Sequence, residues 1–205
     1  IKAEWQAVFM ALARKLLTNL GVPAESQRFI EKLPWEKAHY SLQSFDQQVH
    51  VERWGWVEVS GHAYRTDYDL KRHMEFSGED MRVFKESEKP MEKERAAERG
   101  KRFIPHVVEP SFGSDRLVHV ALEYAYKVKD GRALLSFSRD VAPIQVGVYP
   151  LVSKDGLPEK ALELHRLLLN EGFVAECDEA GSIGRRYARA DEIGIPLGVT
   201  VDYET

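Results

Sequence analysis

The sequence predicts an α/β protein in two parts. Three observations carry that expectation: a helix-period segment at the start, a middle stretch of strand-type residues with short helices, and a final third in which strands and helices alternate. Alternation at that length predicts βαβ crossovers and a largely parallel sheet in the last part. The character changes around Val141 to Pro143, which places a domain boundary there and divides the chain into residues 1–141 and 142–205.

From Ala3 to Leu20, Trp5, Val8, Phe9, Leu12, Leu16 and Leu20 recur at three- and four-residue steps, the period of one helix face, and Gly21 and Pro23 end the helix. Residues 28–45 are mixed in pattern. The run from His50 to Gly61 has strand character, and a period of two puts Trp54, Trp56, Glu58 and Ser60 on one face with Val57 and Val59 on the other. Thr66 and Asp67 are capping residues, so a short helix is expected over 66–75. Between Lys85 and Arg102 charged residues dominate, which predicts a solvated connector or an exposed helix. Phe103 to Val108 reads as a strand, Glu109 to Gly113 as a turn, and Arg116 to Tyr126 as a helix. Beyond the boundary, strands are expected over 144–152, 173–178 and 196–203. Helices are expected over 157–170, with Pro158 in the first turn and Gly172 just past the end, and over 184–193.

Composition narrows the function classes. The 205 residues carry 29 Lys+Arg against 33 Asp+Glu, a formal net charge of -4, so no overall field recruits nucleic acid or a membrane surface. Any anionic partner must be met by a local patch. The single cysteine, Cys177, excludes an internal disulfide framework and a multi-cysteine metal site, and a reducing cytosol is the expected setting. Its acidic neighbours Asp178 and Glu179 disfavour a thiolate nucleophile. The longest apolar stretches fall far short of the roughly 20 residues a membrane helix needs. The chain starts at Ile1 within a helical pattern and ends on a strand, which is expected of a piece of something longer.

Three groups of residues bear on chemistry. Glu58 is a carboxylate among indoles on a strand, costly to bury unless a cation meets it; a bound ammonium, water, or a pairing with Arg65 would each serve. Glu109, Ser111, Gly113 and Arg116 offer an acid and a hydroxyl at a strand end and a guanidinium at a helix start. That set suits Mg²⁺ and phosphate, or is an ordinary capped turn. Gly181 to Arg186 opens a helix with two arginines, a ready anion site, although residues 143–205 carry six basic side chains against eleven acidic ones. Arg185, Arg186 and Arg189 then either meet phosphate or RNA, or exchange ion pairs with Asp191 and Glu192. His39, His62, His73, His106 and His119 show no ligand spacing.

The strings Gly55-Trp56-Val57-Glu58-Val59-Ser60-Gly61, Arg65-Thr66-Asp67-Tyr68-Asp69-Leu70 with His73, and Val108-Glu109-Pro110-Ser111-Phe112-Gly113-Ser114-Asp115-Arg116 occur in that order. They are joined by Ala38-His39-Tyr40 and by Gly181-Ser182-Ile183-Gly184-Arg185-Arg186-Tyr187-Ala188-Arg189-Ala190-Asp191-Glu192-Ile193-Gly194. Together they resemble the glycyl-tRNA synthetase family of the dimeric class II type, from about residue 28 to the end. The resemblance implies an α+β catalytic core with an antiparallel sheet, followed by an α/β anticodon-binding domain with a mixed sheet. It implies that glycine is joined to tRNA(Gly) by way of glycyl-adenylate, with ATP and Mg²⁺, in a cytoplasmic homodimer. Residue by residue, it implies that Glu58 and Ser111 hold the two ends of glycine, that Glu109 lies near the ATP-bound Mg²⁺, and that Arg116 of motif 3 grips the ATP phosphates. For Arg185, Arg186 and Arg189 it implies tRNA contact. Motifs 1 and 2 of the class are absent from these residues, so the 205-residue segment alone is expected to be inactive. A non-catalytic relative that keeps the fold to bind nucleic acid is the alternative, against which the retained Glu58, Glu109, Ser111 and Arg116 weigh.

Overall fold

The computed structural model describes residues 2–86 and 100–205. Most of the charged stretch from Lys85 to Arg102 therefore lies outside the described residues. The chain divides into two compact units, one of residues Ile1–Arg14 and Gln27–Gly113, the other of Lys15–Ser26 and Ser114–Thr205.

Helix α1 (Lys2–Asn19) opens the chain as expected, and its end is set by Gly21, whose φ of 92° suits a residue without a Cβ. Its buried line is not the expected one. Trp5 and Leu12 are more than half exposed, whereas Gln6, Ala13 and Leu17 are buried. The reason is tertiary: Gln6 Nε2 donates to the His62 carbonyl at 3.0 Å, and Ala13, two turns further along the same face, is buried with it.

The first unit is built on a four-stranded antiparallel sheet in the order β1-β2-β3-β6. Its strands are β1 (Gln27–Glu31), β2 (Gln43–Val51), β3 (Gly55–Thr66) and β6 (Val107–Phe112). The single strand expected from His50 to Gly61 is in fact a hairpin. β2 ends at Val51, and β3 begins at Gly55 with φ 70°, so Trp54 belongs to the turn. Nearly all of strand β1 and the start of β2, residues 43–45, fall in the segment of mixed pattern. The turn expected over Glu109 to Gly113 is mostly strand, with Pro110 opposite His62 in register; β6 borders only β3 among the described strands, an edge position where proline is tolerated. Helix α2 (Tyr68–Ser77) follows β3, and β4 (Val83–Glu86) pairs antiparallel with β5 (Gly100–Phe103).

Strand β3 carries two irregularities. Gln47 pairs with Ser60 but Gln48 with Glu58, which leaves Val59 as an extra residue in a bulge. Tyr64 pairs with Val108 but Thr66 with Val107, which leaves Arg65 in a second one. The first bulge overturns the period-two reading: Ser60 shares a face with buried Gln47 and His62, and Glu58 lies on the opposite face with Gly61 and Ala63. Gly113 N–H donates to the Val59 carbonyl at 3.0 Å, which ties the bulge to the end of β6.

In the second unit, helix α3 (Ser114–Ala125) leads into the hairpin of β7 (Tyr126–Lys129) and β8 (Arg132–Leu135), turned by Asp130-Gly131, both at positive φ. A three-stranded parallel sheet follows in the order β10-β9-β11, from β9 (Val146–Pro150), β10 (Ala175–Cys177) and β11 (Leu197–Val201). Helices α4 (Leu157–Asn170) and α5 (Ile183–Ile193) supply the crossovers, as expected. β9 is buried along its whole length, the position of a central strand covered on both faces. Val146, Val148, Leu157, Ala161 and Val201 form one core cluster, and Tyr149, Ala190 and Ile195 another.

Candidate functional site

Paired residues on neighbouring antiparallel strands point to the same side of a sheet. Gly61 faces Ser111 and Ala63 faces Glu109, so Ser111, Glu109 and the Glu58 displaced by the first bulge share one face. The opposite face holds a buried polar set: Ser60 Oγ donates to Gln47 Oε1 at 2.8 Å and lies 2.9 Å from His62 Nε2. His62 is 1% exposed, with its ring edge-on to Phe29 and Phe112, and burial lowers its pKa. It belongs to the scaffold.

On the open face, Glu109 is half-buried and Ser111 exposed, while the floor between the strands is made by Gly61 and Ala63. Glu58 is also half-buried. Arg65 is not its partner. Arg65 donates to both oxygens of Asp69, at 2.7 and 2.6 Å, and to Glu109 Oε2 at 2.5 Å. Its guanidinium carbon lies 3.9 Å from the centroid of the Tyr40 ring. A cation in the field of Glu58 is Lys32, whose amine is raised chiefly by its hydrogen bond to Asp46, at 2.8 Å, with the charges of Asp46 and Glu58 adding to that. Arg28 stacks over Trp56 at 4.0 Å on the same side, with its Nε on Gln48.

Nothing in the sequence points directly to the role of Arg65. Its only signals are the Arg-Thr-Asp-Tyr-Asp spacing, which puts Asp69 four residues on, and the tyrosine of Ala38-His39-Tyr40, whose neighbour His39 meets Tyr40 and Tyr68 edge-on. Asp69 is held below the usual carboxylate range, first by the hydrogen bond from Arg65.

Glu109 offers a single carboxylate, which fits an ion held mostly by ATP phosphates and water and not a protein-built cage. Among the described residues no three His, Cys, Asp or Glu side chains gather to hold a metal, and Glu109 Oε2 already faces a guanidinium. Arg116 lies in the first turn of α3, exposed.

The three arginines of α5 separate. Arg186 is 2% exposed, and its guanidinium reaches the carbonyls of Pro150, Glu179 at 2.6 Å and Gly181 at 2.8 Å. A side chain so enclosed holds two loops together and has no surface to offer RNA, contrary to what its place in the motif implies. Arg189 pairs with Asp178 through Nε at 3.0 Å and with the Ala180 carbonyl at 2.7 Å. Burial pushes the Asp178 carboxyl up, but the Ala180 N–H, Arg189 and the charge of Arg186 together hold it below the usual range. Neither arginine takes the Asp191 or Glu192 alternative; Asp191 faces Arg132 at 3.7 Å instead. Arg185 is exposed. Cys177 is exposed, and partial burial followed by nearby Glu179 and Asp178 raises its thiol.

Residues 145–205 match the family described as "Anticodon binding domain", which defines the class of the parallel-sheet region. The glycine–tRNA ligase of Aeropyrum pernix is 43% identical, over 96% of this chain and 44% of that protein. That of Pyrococcus horikoshii is 37% identical, over 97% and 46%, and that of Methanococcus maripaludis 33% identical, over 100% and 48%. Over nearly its whole length the chain is similar to these glycine–tRNA ligases. It spans about half the length of the curated relatives it matches. The 258 aligned positions of the first match exceed the 205 residues of this chain, so that relative carries inserted residues inside the matched stretch. No helix among the described residues is long and apolar enough to cross a membrane.

Proposed function

We propose that the chain serves the ATP-dependent joining of glycine to tRNA(Gly) through a glycyl-adenylate. The observation that carries this reading is that Glu58, Glu109 and Ser111 lie on one face of the β1-β2-β3-β6 sheet, the face that also carries Gly61 and Ala63. Two carboxylates and a hydroxyl over a floor of small residues suit a small ammonium-bearing substrate. In the first step the glycine carboxylate attacks the α-phosphate of ATP and pyrophosphate leaves. In the second the tRNA 3′-terminal hydroxyl attacks the carbonyl and AMP leaves. Both are displacements favoured by positioning and charge neutralisation, so no covalent protein nucleophile is required.

Glu58 and Ser111 hold the ends of glycine. Glu109, expected near a Mg²⁺, is assigned with them to the amino-acid side because Arg65 occupies one of its oxygens. Arg116 supplies positive charge to the ATP phosphates. No step is assigned to a protein-held metal. Residues 145–205 bind the tRNA, with Arg185 and Arg189 as the exposed arginines of α5 and Arg185 as the one that meets phosphate, since Arg189 is paired with Asp178. By resemblance the reading extends to a homodimer working in the cytoplasm.

Glycine-dependent exchange of pyrophosphate into ATP tests the assignment in the full-length natural polypeptide that carries these residues. Glu58→Gln should raise the KM for glycine more than that for ATP, and Arg116→Ala should do the reverse. Each loses a contact worth on the order of 2–4 kcal/mol if desolvated. Equal effects of both changes on both substrates would sink the assignment.

A further inference from the structure

We propose that Arg65 is a positioning residue that fixes the Glu109 carboxylate for the ammonium of the amino acid, an inference that rests on the proposed glycine-joining function. Arg65 is the extra residue of the second bulge in β3. A bulge re-aims a side chain that regular alternation would send elsewhere, and it does so here beside the residues assigned to the substrate.

One guanidinium joins β3 to α2, to β6 and to the loop that carries Tyr40. Its Nε and one terminal nitrogen grip Asp69 on α2 in a bidentate pair, and the other terminal nitrogen reaches Glu109 on β6. Tyr40 covers its flat face at 3.9 Å. The arrangement uses the two edges and one face of a planar cation, which an ammonium cannot reproduce. Asp69 and Tyr40 fix the guanidinium, and the guanidinium in turn fixes one oxygen of Glu109. The Arg65 side chain is 21% exposed and that of Glu109 40%, so the carboxylate is held from its inner side while its outer side stays open.

The test uses pyrophosphate exchange in the full-length polypeptide, with melting temperatures from circular dichroism alongside. Arg65→Gln should raise the KM for glycine about 10- to 100-fold, the loss expected for one charge-assisted hydrogen bond, while the KM for ATP stays within about two-fold. Arg65→Lys, which keeps the charge but not the fork, should fall between, and it answers the question if Arg65→Gln does not fold. The double variant Arg65→Gln, Glu109→Gln should be no worse for glycine than Glu109→Gln alone, because the two act as one unit. A glycine KM left at the wild-type value, a fall in kcat with both KM values unchanged, or additive losses in the double variant would each overturn the positioning role. Absence of glycine-dependent exchange in the wild-type protein would instead overturn the underlying functional reading, and this inference with it.

Discussion

Arg186 offers a direct test of the division of labour among the arginines of α5. Arg186→Met removes the guanidinium while keeping most of the apolar stem, and it strands the carbonyls of Pro150, Glu179 and Gly181 that the cation now satisfies. Charge-assisted hydrogen bonds contribute about 1.5–3 kcal/mol each, but burying a guanidinium costs several kcal/mol, and Nε finds no acceptor. The balance is a loss of about 2–4 kcal/mol. At about 4 °C per kcal/mol for a unit near 100 residues, the transition of the second unit should drop by about 8–16 °C. Thermal melts followed by circular dichroism measure this, with Arg185→Ala in parallel. That variant should melt like the wild type and bind tRNA more weakly, with a shallower dependence on salt. A drop under about 3 °C for Arg186→Met, or an equal drop for Arg185→Ala, would refute the assignment of Arg186 to the scaffold.

Two other residues give measurable expectations. Burial keeps the His62 imidazole below its ordinary pKa of 6.5, so the folded chain holds it neutral while the unfolded chain takes up a proton as pH falls through that value. Its contribution is therefore fully present above pH 6.5 and is lost as pH falls towards the folded pKa, at no more than about 1.4 kcal/mol per pH unit. Urea titrations between pH 5 and 7 should show this slope, and His62→Asn should flatten it; an unchanged slope would place the titration elsewhere. Gly194 caps α5 at φ 82°, and an added Cβ would lie 2.4 Å from the Phe137 ring and 3.0 Å from Leu135 Cβ. Gly194→Ala should cost about 2 kcal/mol or more by the same urea measurement, and a neutral result would mean that Phe137 moves freely.

The parts of the fold that are legible in the sequence are those whose signals are local. Helix α4 runs over the expected residues because Pro158 sits in its first turn and Gly172 lies just beyond it. The three parallel strands follow from alternation alone. The hairpin of β2 and β3 is hidden because Glu52-Arg53-Trp54 does not read as a turn, and the glycine with positive φ comes only afterwards, at Gly55. β6 reads as a turn because Pro110 breaks strand patterns wherever the strand is not known to be an edge. In α1 the most apolar line suggests one buried face, whereas the fold buries the line containing Gln6, a choice made by a carbonyl 56 residues away. In the candidate site, ordered motifs mark Glu58, Glu109, Ser111 and Arg116. They do not reveal that the first three share one face, since a period of two cannot register an extra residue at Val59. The bidentate pair of Arg65 with Asp69 lies within one motif, but its reach to Glu109, 44 residues on, exists only after β3 and β6 pair.

Pro110 in β6 bears on how the chain behaves in solution. The outer border of an antiparallel sheet is a template for recruiting a strand from another molecule, and a residue with no N–H removes one of the bonds such recruitment needs. Pro110 interrupts that border between the two residues assigned to the substrate, Glu109 and Ser111, whose polar side chains both lie on the same face. Among the described strands, the same tripeptide that presents an acid and a hydroxyl therefore also leaves the border where they stand one N–H short for pairing with a further strand.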